Sequence, residues 1–161
     1  MNTLPPRMLR IALAYVAAFV AGYVVAIVFA TSANLINLSD VGAQIGLGDA
    51  LRTYLYDLTH MLPRFEIARY GTVMLIGFAI AFPVAALLRF AALRGGFGQV
   101  APWLYPLAGA VAIGTGLTIM FYQYEVSAVA GARGLGFWAQ CVAGGIAGFV
   151  FQKILVRGVD A

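Results

Sequence analysis

His60 is the residue whose chemistry would carry most if it had company. It stands in a stretch, 34–69, that also holds Asp40, Asp49, Asp57 and Glu66. A carboxylate that orients an imidazole is the beginning of a general-base site, so an outer-surface membrane enzyme using His60 is one reading of this sequence. Little else is present to complete such a site. One histidine and one cysteine, Cys141, cannot supply the three or four ligands of a metal centre, nor the axial pairs that hold haem between helices. Patterns for a nucleophile elbow, a zinc protease or a phosphate loop are missing, and a lone cysteine forms no internal disulfide. No catalytic residue, cofactor or metal ligand is assigned, and the chain is not expected to be an enzyme.

A second group of polar residues falls inside apolar segments. Gln140 must hydrogen-bond across a helix pair or meet water, because an amide in hydrocarbon has no other partner. With Thr115 and Thr118 it could line a polar path, and Pro83 could hinge the helix that carries it by leaving a carbonyl near Ala79 without its donor. These four residues define a small homo-oligomeric channel or transporter as an alternative. No charged residue is committed to the middle of an apolar segment, whereas ion-coupled transporters generally hold one there.

A third pattern is the most regular. Ala14, Ala18, Gly22, Ala26 and Ala30 recur every four residues, and Gly144 and Gly148 form a GxxxG pair flanked by Gln140 and Gln152. Ala108, Ala112 and Gly116, and Gly77, Ala81 and Ala85, repeat the device. Small residues at this spacing let helix backbones approach closely, which is how helices associate in lipid. The stripes serve either internal packing or contact with another subunit, and the candidate partner interface is Ala14, Ala18, Gly22, Ala26, Gly144 and Gly148.

The elements that position these groups follow from composition. The 161 residues are 63% hydrophobic and 10% charged, with a mean hydropathy of +0.92. Soluble domains carry roughly a quarter charged residues, so the solvent here is membrane lipid. Four apolar segments are each long enough to cross about 30 Å of hydrocarbon: 11–33, 70–88, 101–122 and 135–156. The first exceeds a signal-peptide core despite the small residues Thr31-Ser32-Ala33. Between the first two lies an outer loop, 34–69, in which Asp49 is placed as the N-cap of an amphipathic helix over about 50–62. Leu51, Tyr54, Leu55, Leu58 and Leu62 give its apolar spacing, and Pro63 ends it.

Charge sets the orientation. Arg7, Arg10, Arg89, Arg94, Lys153 and Arg157 fall on one side, while Arg52, Arg64, Arg69 and Arg133 share the other with five acids, Glu125 among them. The positive-inside rule places both termini in the cytoplasm. Trp103 and Tyr105 at one rim, and Tyr122, Tyr124 and Trp138 at the other, are expected as interface aromatics. The net charge of +4 is dispersed over segment ends, which argues against nucleic acid. Arginine as nearly the sole basic residue, with abundant alanine and glycine, points to a bacterial inner membrane. A short echo between 77–89 and 145–157 is compatible with a duplicated hairpin and with chance.

The expectation is thus an all-α membrane protein, one transmembrane domain over 1–161. It is a four-transmembrane-helix bundle with an extramembrane amphipathic helix between helices 1 and 2. Its expected role is a non-catalytic subunit or scaffold that associates with other membrane protein subunits, or with itself, through small-residue helix faces.

Overall fold

The computed structural model describes residues 6–60, 70–123 and 134–156. Among them there are five α-helices and no strand: α1 (Pro6–Asp40), α2 (Leu47–His60), α3 (Tyr70–Arg94), α4 (Leu104–Gln123) and α5 (Leu135–Val156). Four of these, α1, α3, α4 and α5, are long and apolar enough to span a membrane, which marks the chain as a multi-pass membrane protein. Each successive long helix reverses direction. The start of α1 and the end of α5 therefore share one side, called here the terminal side, and α2 lies toward the other.

Helix ends explain where the elements outrun the apolar segments. The 35 residues of α1 rise about 52 Å, well beyond the hydrocarbon thickness. Nothing in Asn34–Asp40 stops a helix. It ends where Gly42 takes φ 91°, with Gly42 N–H bonded to Ser39 O at 2.9 Å and Ala43 N–H to Leu38 O at 3.0 Å, a Schellman cap. The expected loop 34–69 is therefore helical over its first seven residues. Likewise α3 passes Leu88 and continues to Arg94, where Gly96 at φ 79° and the Phe97 N–H to Ala92 O bond of 2.8 Å close it. The third segment opens as a 3-10 turn, Ala101–Trp103, before α4 proper.

For α2 the expected N-cap is corrected. Gly46 O accepts from Asp49 N–H at 3.1 Å and Ala50 N–H at 3.0 Å, so the helix starts at Leu47. Asp49 lies in its first turn, where a carboxylate suits the positive end of the helix dipole. Leu62, Pro63, Arg64, Glu66, Arg69, Tyr124, Glu125, Arg133 and Arg157, which entered the reading of topology and loop, lie outside the described residues.

Helix α5 packs along both α1 and α4, and α4 in turn packs on α3. The reason is the small-residue stripes. Ala14, Ala18, Gly22, Ala26 and Ala30 are all buried, and a β-carbon placed on Gly22 would sit 2.7 Å from that of Ala147 on α5. On the other face of α5, β-carbons on Gly144 and Gly148 would meet Gly109 O at 2.2 Å and Tyr105 O at 2.0 Å. The backbones of α4 and α5 touch there with no room for a methyl group, which maximises dispersion contacts that lipid would otherwise supply.

Candidate functional site

Two regions inside this frame collect the polar and aromatic side chains. Toward the α2 side, Gln140 is fully buried at the meeting of three helices. Tyr70 OH donates to Gln140 Oε1 at 2.5 Å, and Gln140 Nε2 donates to Ala26 O at 2.9 Å, tying α3, α5 and α1 together. Both ends of the amide are engaged, so this site is a clamp.

One turn above, α2 returns along α1 and is held by three side-chain bonds. Thr31 Oγ1 donates to Asp57 Oδ2 at 2.7 Å, Tyr23 OH donates to Leu58 O at 2.9 Å, and the hydroxyls of Ser32 and Tyr54 share a bond of 2.8 Å. The face of α2 that meets α1 is therefore Thr53, Tyr54, Asp57 and Leu58. Leu47, Leu51 and Leu55 point away and are 93%, 61% and 56% exposed. The expected apolar stripe is split: Tyr54 and Leu58 turn in with the polar residues, and Leu51 and Leu55 turn out. Partly buried hydroxyls and a carboxylate paired with each other explain this inversion, since each would lose its partner if the helix rolled over.

Toward the terminal side the junction is aromatic. Phe82 of α3 stacks on Phe151 of α5 at 4.4 Å and on Phe78 at 5.0 Å, and meets Tyr15 of α1 and Tyr105 of α4 edge-on, each at 6.3 Å. Tyr105 is thus a buried core residue, while Trp103 and Trp138 are exposed. Sequence reasoning missed this cluster. Its only signal was Phe78 and Phe82 one turn apart, and in lipid an aromatic residue is equally at home on the outer surface.

Between α1 and α3 on this side lies a cleft of about 620 Å³. Tyr15 OH, bonded to Leu75 O, closes it toward the α2 side. Phe78, Phe82 and Phe151 form its floor, and the small residues Ala12, Ala79 and Ala86 leave its mouth open to lipid. Pro83 lies in its wall, within an α3 that runs unbroken from Tyr70 to Arg94, and supplies no N–H for Ala79 O. The terminal end of α3 carries Arg89, half-buried, whose Nε is shielded from solvent and has no hydrogen-bond partner among the described residues. Gln152 Oε1 on α5 is likewise buried without a partner among them.

The other sequence candidates do not converge. Thr115 and Thr118 face outward from α4, beside a shallow groove shared with Trp138 and Cys141, and Thr118 Oγ1 bonds back to Gly114 O at 2.8 Å. Within one chain they share no path with the clamped Gln140. His60 is exposed, stacked on Tyr56 at 3.7 Å, with Nδ1 3.0 Å from Tyr56 O. Among the described residues no group of His, Cys, Asp and Glu is placed to hold a metal ion.

No family model, curated protein or solved structure matches the chain. The functional reading therefore rests on the residues and their geometry.

Proposed function

We propose that this protein is a non-catalytic accessory subunit or scaffold of the bacterial inner membrane, a four-helix bundle with cytoplasmic termini that docks another membrane protein through α2. One observation carries the reading: α2 is fixed to α1 through its polar side chains and presents Leu47, Leu51 and Leu55 outward. The α1 extension exposes Ile36, Leu38 and Val41 at the same end. A rigid apolar edge near the membrane rim is the form a partner contact takes, because covering it removes apolar surface from water. The small-residue faces named from sequence are occupied within the chain by α1–α5 and α4–α5 contacts. The proposed contact accordingly shifts to the leucine edge of α2.

The test is native mass analysis of the tagged protein extracted gently from its own membrane, beside a variant carrying Leu47→Glu, Leu51→Glu and Leu55→Glu. These side chains are exposed, so the variant is expected to fold. A stoichiometric foreign subunit present with the wild type and lost with the variant supports the reading. A wild type without such a subunit, or a variant that retains it, overturns the reading.

A further inference from the structure

The stripe of α3 that lines the α1–α3 cleft leads on to a cation, Arg89. Arg89 follows Phe82 by seven residues and Phe78 by eleven, which at 3.6 residues per turn puts all three on one stripe of α3. Phe78 and Phe82 line the cleft, and Ala86, one turn before Arg89, lines its terminal end. Tyr105, also in the cleft wall, lies within electrostatic reach of the Arg89 charge. From Phe78 to Arg89 the helix rises about 16 Å. The cleft is apolar along its length, and one turn beyond its last α3 residue, Ala86, Arg89 holds a shielded Nε–H that no atom of the described residues accepts.

Charge around the slot selects among lipids. Arg7, Arg94 and Lys153 lie on the same terminal side, while the three described carboxylates, Asp40, Asp49 and Asp57, all lie toward α2. A headgroup that brings its own ammonium would add a cation to a cationic rim, whereas one whose phosphate charge is uncompensated would neutralise it. A half-buried arginine with an open Nε–H gains most from a bidentate phosphate partner.

We propose that the α1–α3 cleft binds an anionic phospholipid, with one acyl chain along Phe78, Phe82 and Phe151 and the phosphate accepting from Arg89. The site goes beyond docking through α2 and is independent of it. It uses the opposite end of the molecule and needs no protein partner.

The test is competition on the delipidated full chain, offered equal dioleoyl phosphatidylglycerol and dioleoyl phosphatidylcholine and read by native mass spectrometry. Wild type is expected to retain one phosphatidylglycerol at least about fivefold more than phosphatidylcholine. Arg89→Gln is expected to abolish that preference and Arg89→Lys to restore it in part, because lysine keeps the charge but not the bidentate fork, which separates lost charge from lost fold. Ala79→Phe, filling the cleft mouth, is expected to lower phosphatidylglycerol retention at least about fivefold. Arg52→Gln, which removes an exposed cation on α2 at the far end of the molecule, is expected to leave the preference intact. The proposal is overturned by equal retention of the two lipids, by a preference that survives Arg89→Gln, by an Arg52→Gln loss as large, by no rescue from lysine, or by Ala79→Phe having no effect.

Discussion

The two ends of the helix assembly are held together by different physics. Toward α2 the helices are joined by directional bonds: Tyr70 to Gln140, Gln140 to the Ala26 carbonyl, Thr31 to Asp57. Toward the termini they are joined by rings gathered on Phe82. Hydrogen bonds fix register and depth, since donor and acceptor must meet within about 3 Å. Ring stacking fixes only spacing and tolerates a gap. The gap is where the cleft lies, between α1 and α3, closed on one side by the Tyr15–Leu75 bond, and the same end carries Arg89, whose Nε has no partner among the described residues.

If that contrast is right, the largest effect comes from the frame both ends share. Gly148→Leu drives a branched side chain into the Tyr105 carbonyl and is expected to abolish the folded state, read as loss of a monodisperse peak on detergent chromatography. Even Gly148→Ala is expected to cost about 1–3 kcal/mol from overpacking.

Phe82→Ala tests the aromatic end. It removes four ring contacts and leaves a void among α1, α3, α4 and α5, for an expected loss of about 3 kcal/mol in reversible detergent unfolding. A loss no larger than that of Gln140→Leu would break the comparison. Gln140→Leu is expected to cost about 1–2 kcal/mol, because hydrogen bonds between helices in lipid average about 0.6 kcal/mol each and two are removed. Tyr70→Phe removes one of the two and is expected to lose about half as much.

The smallest effect sharpens the outer end alone. Thr31→Val removes the bond to Asp57 without changing shape. Local release of α2 by about 1 kcal/mol, or roughly fivefold faster amide exchange over Leu51–Asp57, is expected with little change in global stability. Exchange rising equally in α3 and α5 would show that α2 is not a separate layer but part of the core.

What was legible in the sequence follows from patterns that lipid imposes along a single helix. The length and hydropathy of 11–33, 70–88, 101–122 and 135–156 placed all four long helices, since backbone in hydrocarbon must satisfy itself within the segment. The spacing of Ala14, Ala18, Gly22 and Ala26 marked a face of close approach for the same local reason. Helix ends were less legible. Gly42 and Gly96 cap α1 and α3, and a glycine shows in the sequence, but its positive φ does not.

Which face meets which neighbour was decided by the tertiary structure alone. A stripe of alanine reads the same whether α5 or another chain lies against it, and only packing assigns it to Ala143 and Ala147. The partners of Gln140 lie 70 and 114 residues away, a relation no local periodicity encodes. The inward turn of Asp57 and the burial of Tyr105 have the same origin. In lipid an apolar side chain gains little by choosing a helix over an acyl chain, so hydrophobic pattern sets which segments cross the membrane, and paired polar groups and backbone contact set how they assemble.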